Sequence, residues 1–584
     1  MYKTSSPYVK ELLKGEIRWM PFTKRTLETA IREDKVIFIH IGNIAKITER
    51  EAAYRLFNTR EIIDTINKYF IPIALDTEDI PEAVLIGLDM LIISEQKIAI
   101  PINAFSLPGV RPFTSFSSLY ANDFLSVASN IIYSFENKKN LLEKASTYMI
   151  ERLINTGVVR IKEQPKTIDE KLLHAYVRSW GKRIVDTEEY KRRSPFLINT
   201  RSLIFLMKYF VRYEKPNILL IIKKHIDELY YSCMFDPIEG GFFSKAKDSS
   251  LKEPLFEKSF SENIQAAAMF SFAYKYFGEK QYKVATQRIL DFIETELKSP
   301  NGGYITYITL NKEVDNSTYY KYSLKELKKY FPKRYIQIAQ YLGISINADN
   351  NILQNISNTI NYWMITPDEL DKLKKIRTTK KEILLDKRVI TAYNCMYAST
   401  LCIIAKNIKE ISEENVKLAE VIISNTLEKQ KTGEVTLCRY MLCENDTYLH
   451  SDLFDYAFFL NAVILLLKHT NKEKYAILVR KYTTYILLNF YKSENGMFSK
   501  ASKTEQITPL RRESIMDYIR FSANSIMARN LYILHKLSGD KFYLQAFKQQ
   551  IYNIEPHLIG SGPLMVGWAL QILNYLTDKP LSSK

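Results

Sequence analysis

The chain of 584 residues has few of the residues that cross-link or interrupt a fold. It carries five cysteines, Cys233, Cys395, Cys402, Cys438 and Cys443, none of them in a C-x-x-C pair. An odd count without pairs speaks against a disulfide framework and against a thiolate zinc site, and leaves buried thiols acting as small hydrophobes. Glycine and proline are scarce, 18 and 19, about half the ordinary share, which favours long helices over turns. Long hydrophobic runs are also missing. The run Ala462-Val463-Ile464-Leu465-Leu466-Leu467 is far shorter than the ~20 residues of a membrane span, so no span is expected. No apolar stretch follows Met1-Tyr2-Lys3, so no secretory leader is expected and a cytoplasmic location is the default expectation. Gly240, Gly241, Gly302 and Gly303 lack the Lys-Ser/Thr of a phosphate loop and read as hairpin turns. No His, Cys or carboxylate cluster has metal-ligand spacing, so neither a metal nor another cofactor is expected.

What is present is material for a large core. Hydrophobic residues make up 46% and aromatics 12%, which excludes a disordered chain. The length allows up to about four domains, or fewer large ones. Lys and Arg number 82 against 65 Asp and Glu, a formal charge of +17. The basic residues are spread out, and the densest run, Lys372 to Lys381, has no interleaved aromatics for stacking bases. It reads as a solvated helix face, and nucleic acid is disfavoured as a partner.

Residues 1–135 read as alternating helix and strand. Apolar runs at Val36–Ile41 and Ile71–Leu75 flank a helical pattern over Glu49–Tyr69, a βαβ unit with parallel strands. A helix at Pro81–Leu91, a strand at Lys97–Phe105, an edge strand at Arg111–Phe116 and a helix at Asp123–Phe135 complete a thioredoxin-like order. From 136 to 584 amphipathic helices dominate. Glu239-Gly240-Gly241-Phe242-Phe243-Ser244-Lys245 recurs as Glu494-Asn495-Gly496-Met497-Phe498-Ser499-Lys500, with echoes at Asn301–Tyr304 and Thr432–Val435; 302 − 240 and 495 − 433 are both 62. Gly278 to Tyr282 matches Gly539 to Tyr543, and Asn471 to Tyr475 is a looser copy. Here Gly or Asn ends one helix in the left-handed conformation and the next begins. Helical hairpins repeated in this way stack into a solenoid or close into a toroid.

With these motifs the sequence resembles the spermatogenesis-associated protein 20 and bacterial YyaL-type family. Ser6-Pro7-Tyr8 and Trp19-Met20-Pro21-Phe22 match its opening S-P-Y and W-x-P-W. Phe57, Asn67, Phe70, Asp76, Glu78 and Pro81 fall on its S-F, N-x-x-F and V-D-R-E-E-R-P motifs. Pro101, Phe105, Pro108, Pro112 and Phe113 match the segment around its cis-proline. Further on, Phe256-Glu257-Lys258 and Asn263 match H-F-E-K-M-L-Y-D-N, and Asp386, Thr391 and Asn394 match D-D-K-x-L-T-x-W-N. Asp455-Tyr456-Ala457 and Ser522-x-Asn524 match D-D-Y-A and P-S-x-N. The resemblance implies an N-terminal thioredoxin-like α/β domain followed by a large all-α (α/α)6 toroid, related in shape to N-acylglucosamine 2-epimerases.

The departures from the family decide the functional expectation. Its C-H-W-C-H would occupy Lys46 to Arg50, so the redox positions hold Lys46 and Glu49 and no thiolate can form at the helix tip. Thr48 and Glu51 are spaced for a capping box instead. Pro101 reads either as a strand start without a ligand or as a residual peptide-docking edge beside Lys46. The family's pocket is eroded too: its residues give way to Leu255, Ser261-Glu262, Lys387, Phe454 and Phe521. Glu257, Glu262, Asp386 and Asp455 are the candidate catalytic carboxylates. They serve either acid–base chemistry or ion pairs with Lys258, Lys387 and Arg388 that brace hairpin ends. Lys258, Asn263, Asn394, Tyr456, Ser522 and Asn524 are pocket candidates, and His450, five residues before Asp455, could approach the centre. Three readings follow. The first is a degenerate, non-redox protein that binds a partner or a ligand, peptide or carbohydrate, in the toroid. The second is a carbohydrate-active isomerase, epimerase or hydrolase. The third, a thiol–disulfide oxidoreductase, is disfavoured.

Overall fold

The structure, a computed structural model, describes residues 4–45, 47–157, 159, 168–181, 196–197, 199–311, 318–344, 351–352, 365–380, 382–441, 451–503, 512–517 and 521–578. Its first part is a four-stranded sheet in the order β2-β1-β3-β4. The strands are β1 (Val36–Gly42), β2 (Phe70–Asp76), β3 (Ile102–Leu107) and β4 (Arg111–Phe116). β1 runs parallel to β2 and antiparallel to β3, with Val36 opposite Phe70 and Phe38 opposite Phe105. Both central strands are buried on both faces because helices cover both, and the polar His40 and Asn103 on them bond to each other. Helix α1 (Pro7–Leu12) and α2 (Lys24–Arg32) precede the sheet; α3 (Ile47–Phe57), α4 (Arg60–Tyr69), α5 (Pro81–Ile93) and α6 (Ala121–Asn137) follow in chain order. Phe38, Phe57, Phe105 and Phe124 fill one side, and Ile37, Ile41, Ile73 and Ile102 the other.

Three details differ from the sequence expectation. The helix expected over Glu49–Tyr69 is two helices. Asn58 Nδ2 and Thr59 Oγ1 donate to the carbonyls of Tyr54 and Arg55, four residues back, and the chain breaks there. A capping box at Thr48 and Glu51 does not form either. Helix α3 already begins at Ile47, and the Glu51 carboxylate accepts from Arg50. The sheet layer also extends beyond residue 135. Helix α7 (Lys139–Gly157) packs on β3, β4 and α5, and its Met149 and Leu153 join that core.

The remaining helices close a ring. They are α8 (Glu170–Trp180), α9 (Thr200–Arg212), α10 (Pro216–Tyr230), α11 (Phe260–Phe277), α12 (Lys280–Glu296), α13 (Leu324–Tyr330), α14 (Tyr335–Tyr341), α15 (Pro367–Thr379), α16 (Thr391–Asn407), α17 (Ser412–Lys429), α18 (Leu453–Thr470), α19 (Glu473–Asn489), α20 (Ala523–Ser538), α21 (Lys541–Leu558) and α22 (Val566–Thr577). Helices α9, α11, α16, α18, α20 and α22 each pack on the next, and α22 packs back on α9. Outside them lie α10, α12, α17, α19, α21 and α8, each against one inner helix. This is an (α/α)6 toroid. The left-handed ends read from the repeats are there: Gly278, Asn471 and Gly539 have φ of 74°, 52° and 74°. Helices α13 to α15 form an insertion with its own small core, including Tyr322, Leu327, Ile338 and Leu373. Helix α18 is long and apolar enough to cross a membrane, yet 78% of it is buried as an inner wall of the ring.

Candidate functional site at the toroid mouth

The inner helices all start at the same end of the ring, and the thioredoxin-like domain is seated there. The tip of α3, where a redox pair would stand, is closed. Ile47 belongs to the toroid core, and buried Arg50 donates to the carbonyls of Ile44 and, across the interface, Leu310. Lys46 lies outside the described residues, and Glu49 is exposed. Pro101 follows a cis peptide bond and lines a small crevice with Tyr8, Gly42, Asn43, Glu49 and Arg50. A Cβ on Gly42 would stand 2.2 Å from the Tyr8 ring, so only glycine allows this closure. Behind it, His40 Nε2 lies 2.7 Å from the Tyr8 hydroxyl and Nδ1 lies 2.7 Å from Asn103 Oδ1. Burial lowers His40 to about 4, so the ring is neutral. Among the described residues no cysteine lines this site. Cys233, Cys395, Cys402 and Cys438 are buried in the toroid, where burial pushes the thiols upward, Cys402 to about 12 and Cys438 to about 11. Cys443 lies outside the described residues, as does His450.

The loop after β2 carries the acids of the motif Asp76-Thr77-Glu78-Asp79 into the toroid mouth. Arg388 meets three carboxylates there: Asp386 at 2.6 Å, Asp76 at 2.9 Å and Asp79 at 2.9 Å. Asp76 also accepts from the Ser6 hydroxyl and the Glu78 N–H. One guanidinium cannot neutralise three buried carboxylates. Burial raises Asp76 to about 7 against the pull of Arg388, and raises Asp79 as well. A second arginine repeats the arrangement. Arg439 lies 3.0 Å from Asp455 and 3.4 Å from Glu78, and its Nε donates to the Glu78 carbonyl at 2.6 Å. Tyr393 donates to the same Glu78 carboxylate and Tyr440 to Asp79. Burial raises Asp455 to about 6, with Arg439 opposing. Asp455 further closes the capping box of α18 with Asp452 and accepts from the Ala392 N–H.

A third ionic centre is internal to the toroid. Fully buried Lys258 lies 2.7 Å from Asp236 and 3.4 Å from Glu239, and Arg377 lies 2.6 Å and 3.1 Å from the same pair. Burial alone would raise Asp236, but the two cations outweigh it and hold the carboxyl well below its usual range. Arg377 comes from the basic run, which is therefore not wholly solvated; Lys381 lies outside the described residues.

The pocket candidates turn out to be pins. Asn263 accepts from the Phe242 N–H at 2.7 Å and donates to the Phe242 carbonyl at 3.0 Å. Asn394 makes the same pair with Tyr304, and Asn524 with Phe498. Each ties the first turn of an inner helix to the residue following a glycine turn. Tyr456 serves the fourth hairpin by accepting from the Leu437 N–H, and Ser522 caps α20. Glu257 pairs with Lys245 at 3.4 Å rather than with Lys258. Asp386 pairs with Arg388 as expected, while no ion pair of Lys387 is found among the described residues. The candidate carboxylates therefore divide among separate ionic centres and do not meet in one open cavity.

Glu262 is the exception. Its Oε2 is buried without a hydrogen-bond partner, and burial raises the carboxyl while Ser244, Lys245 and Arg201 lower it. Arg201 Nη1 is likewise buried without a hydrogen-bond partner, though it lies 3.8 Å from the Asp517 carboxylate, and its guanidinium lies 4.4 Å over the Phe521 ring. Phe521 also lines a narrow, open-mouthed pocket between the domains, with about 40 Å³ of free volume. Its walls are Pro81, Val84 and Leu85 from α5 and Phe454, Met516 and Ala523 from the toroid, with Lys500, Thr77 and Ser514 as polar points. Sequence reading missed Arg201 and Arg439. The signal for Arg439 was present: a lone arginine inside the apolar run Leu437-Cys438-Arg439-Tyr440-Met441 needs a buried partner. Among the described residues no group of three or more His, Cys, Asp or Glu is arranged to hold a metal.

Fold and site together define the class: a thioredoxin-like domain without its thiols, latched onto the mouth of an (α/α)6 toroid. Comparison supplies the kinship. Residues 1–154 match the family model Thioredox_DsbH, described as protein of unknown function, DUF255. Spermatogenesis-associated protein 20 of Mus musculus is 20% identical over 610 residues, 92% of this chain and 76% of that protein, and the Homo sapiens protein is 20% identical with the same coverage. The resemblance read from the motifs therefore holds along nearly the whole chain. Among solved structures, the GH76 alpha-mannanase of Bacteroides thetaiotaomicron aligns with a TM-score of 0.45 at 12% identity, covering 69% of this chain and 94% of the mannanase. Cellobiose 2-epimerase of Bacillus thermoamylovorans aligns with a TM-score of 0.43 at 10% identity, covering 70% and 100%.

Proposed function

We propose that the chain is a binding protein without redox activity, whose ligand occupies the pocket between α5 and the toroid mouth. The observation that carries this reading is the use of the carboxylates. Asp386 and Asp455, which acid–base chemistry at the mouth would need, are held by Arg388 and Arg439, and the same arginines hold the acids of the β2–α5 loop. Both carboxylates already accept from an arginine and from backbone N–H groups, which holds them in place and away from a substrate. The pocket walls suit a small, largely apolar ligand or an apolar peptide side chain, with Lys500 and Ser514 offering donors. Two measurements test this. Insulin reduction by the full chain should show no turnover. A thermal-shift screen should find ligands whose effect is lost in Phe521→Ala and Leu85→Asp; turnover of a disulfide, or stabilisers untouched by both variants, overturns the reading.

One observation favours a carbohydrate-active second reading. Glu262 is the only candidate carboxylate with a partnerless buried oxygen, and a carboxyl raised by burial is suited to act as a general acid. Under that reading, hydrolysis or isomerisation within a disaccharide panel should be abolished by Glu262→Gln. No activity across the panel removes it.

A further inference from the structure

The toroid presents a fixed set of donors to a single loop of the other domain. Arg388 and Arg439 flank a two-stranded ribbon, Val389–Ile390 paired with Tyr440–Met441, and the Thr391 N–H donates to the Arg439 carbonyl at 2.8 Å. Each arginine is held from the toroid side. Arg388 Nε and Nη2 donate to Asp386 at 2.9 and 2.6 Å, and Arg439 Nη1 donates to Asp455 at 3.0 Å. The donors that remain meet the loop. Arg388 Nη1 donates to Asp79 at 2.9 Å, and Arg439 Nη2 donates to the Glu78 carboxylate at 3.4 Å. The hydroxyls of Tyr393 and Tyr440 donate to Glu78 and Asp79 at 3.0 and 3.3 Å. Arg439 Nε donates to the Glu78 main-chain carbonyl at 2.6 Å, so the toroid engages a peptide group as well as the acidic side chains beside it.

The loop is shaped by its own domain. The Thr77 N–H donates to the Gly42 carbonyl at 3.0 Å, the Glu78 N–H to the Asp76 carboxylate at 2.9 Å and the Asp79 N–H to the Asp76 carbonyl at 3.0 Å. Beyond it, Pro81, Val84 and Leu85 stand across the interdomain pocket from Phe454, Met516 and Phe521, where about 40 Å³ stays free. Receptor and occupant are each preformed, so their contact is the docking of one ordered part onto another. Asp386 and Asp455 stay with their arginines when the loop is withdrawn, and the donor set keeps its arrangement.

We propose that the β2–α5 loop is the resident occupant of a peptide site, and that the toroid mouth takes an acidic segment of another chain when this loop is withdrawn. Such a segment carries carboxylates just ahead of an apolar helical turn, as Asp76, Glu78 and Asp79 stand ahead of Pro81, Val84 and Leu85. The main-chain carbonyl contact made by Arg439 selects a peptide over a free dicarboxylate or a phosphate backbone. This rests on the reading of the mouth as a binding site and adds the class of its partner.

The test is fluorescence anisotropy of a labelled peptide with the sequence of residues 75–85, titrated with the full chain. Two full-length variants are compared with the parent: Glu78→Gln, and Glu78→Ala combined with Asp79→Ala. Saturable binding is expected, ~10-fold or more tighter for the double variant than for the parent, with the single variant between them. Adding Arg439→Met to either variant, or replacing the peptide's acids by their amides, should weaken binding ~10-fold or more. Glu78→Gln keeps a hydrogen-bonding side chain in place, so it decides the question if the double variant fails to fold. The proposal is overturned if neither variant binds the peptide more tightly than the parent, if the amide peptide binds equally well, or if Arg439→Met changes nothing. Should small apolar ligands stabilise the parent while the peptide fails, the pocket reading stands and this proposal alone falls.

Discussion

Arg388 is bonded to carboxylates from both domains, and its loss would strand Asp76, Asp79 and Asp386 together in a buried site. Breaking a buried ionic cluster from one side costs about 3–5 kcal/mol. Arg388→Met should therefore lower stability by about that amount in urea denaturation, whereas changing a surface cation such as Lys14 should cost well under about 1 kcal/mol. A loss for Arg388→Met no larger than for the surface change would mean the latch is not stabilising. The same site fixes the sign of the pH response. Asp76, raised to about 7, and Asp455, raised to about 6, hold protons more firmly folded than unfolded, where aspartate titrates near about 3.9. The folded state takes up protons as the pH falls through that window, so stability rises from about pH 8 to about pH 5.5. Asp236, held low, acts oppositely and withdraws stability only below about pH 4, as it protonates. Neutral buried His40, lowered to about 4, opposes this below about pH 6.5, so Asp76→Asn should flatten the fall of Tm between about pH 6.5 and pH 8; a profile unchanged by the substitution contradicts the assignment.

At the scale of elements, the repeated unit is a glycine turn tied to the next inner helix by one asparagine. Asn263, Asn394 and Asn524 each satisfy the N–H and the carbonyl of one residue, so truncation leaves two buried backbone groups without partners. Asn524→Ala should cost about 1–3 kcal/mol while leaving ligand binding at the interdomain pocket unchanged, as read by chemical denaturation beside the thermal-shift screen. The turns themselves differ. A Cβ at Gly240 would stand 2.5 Å from the Arg288 carbonyl, whereas nothing lies within 4 Å of one at Gly539. Both have positive φ, so Gly539→Ala should cost about 1 kcal/mol and Gly240→Ala clearly more. Equal losses would show that the close approach at Gly240 relaxes freely.

The whole molecule is two folds joined through charge. Ile47 from α3 lies in the toroid core, Leu384 from the toroid packs on the sheet domain, and Arg512 pairs with Asp89 across the same junction. Two domains sharing buried ion pairs should unfold together, because separating them exposes each half of every pair unneutralised. Calorimetry should record one transition for the parent chain and two when Arg388→Met and Arg439→Met are combined. Two transitions in the parent would place the junction among weak interfaces.

Much of this was legible from the chain itself. Apolar runs placed the first three strands of the sheet, because a strand buried on both faces is largely apolar, and the turn at Leu107–Gly109 placed the edge strand after it. The Gly278, Asn471 and Gly539 signals placed hairpin boundaries, since a helix ends where a residue tolerates the left-handed conformation. The missing thiols at Lys46 and Glu49 followed from counting alone. Partner identity did not follow. Which arginine meets Asp386 or Asp455, and that Asn263, Asn394 and Asn524 pin glycine turns, depend on contacts between residues distant in the chain. Local pattern sets which residues turn inward, but only closure of the toroid brings inward-facing charges from separate helices within reach of one another.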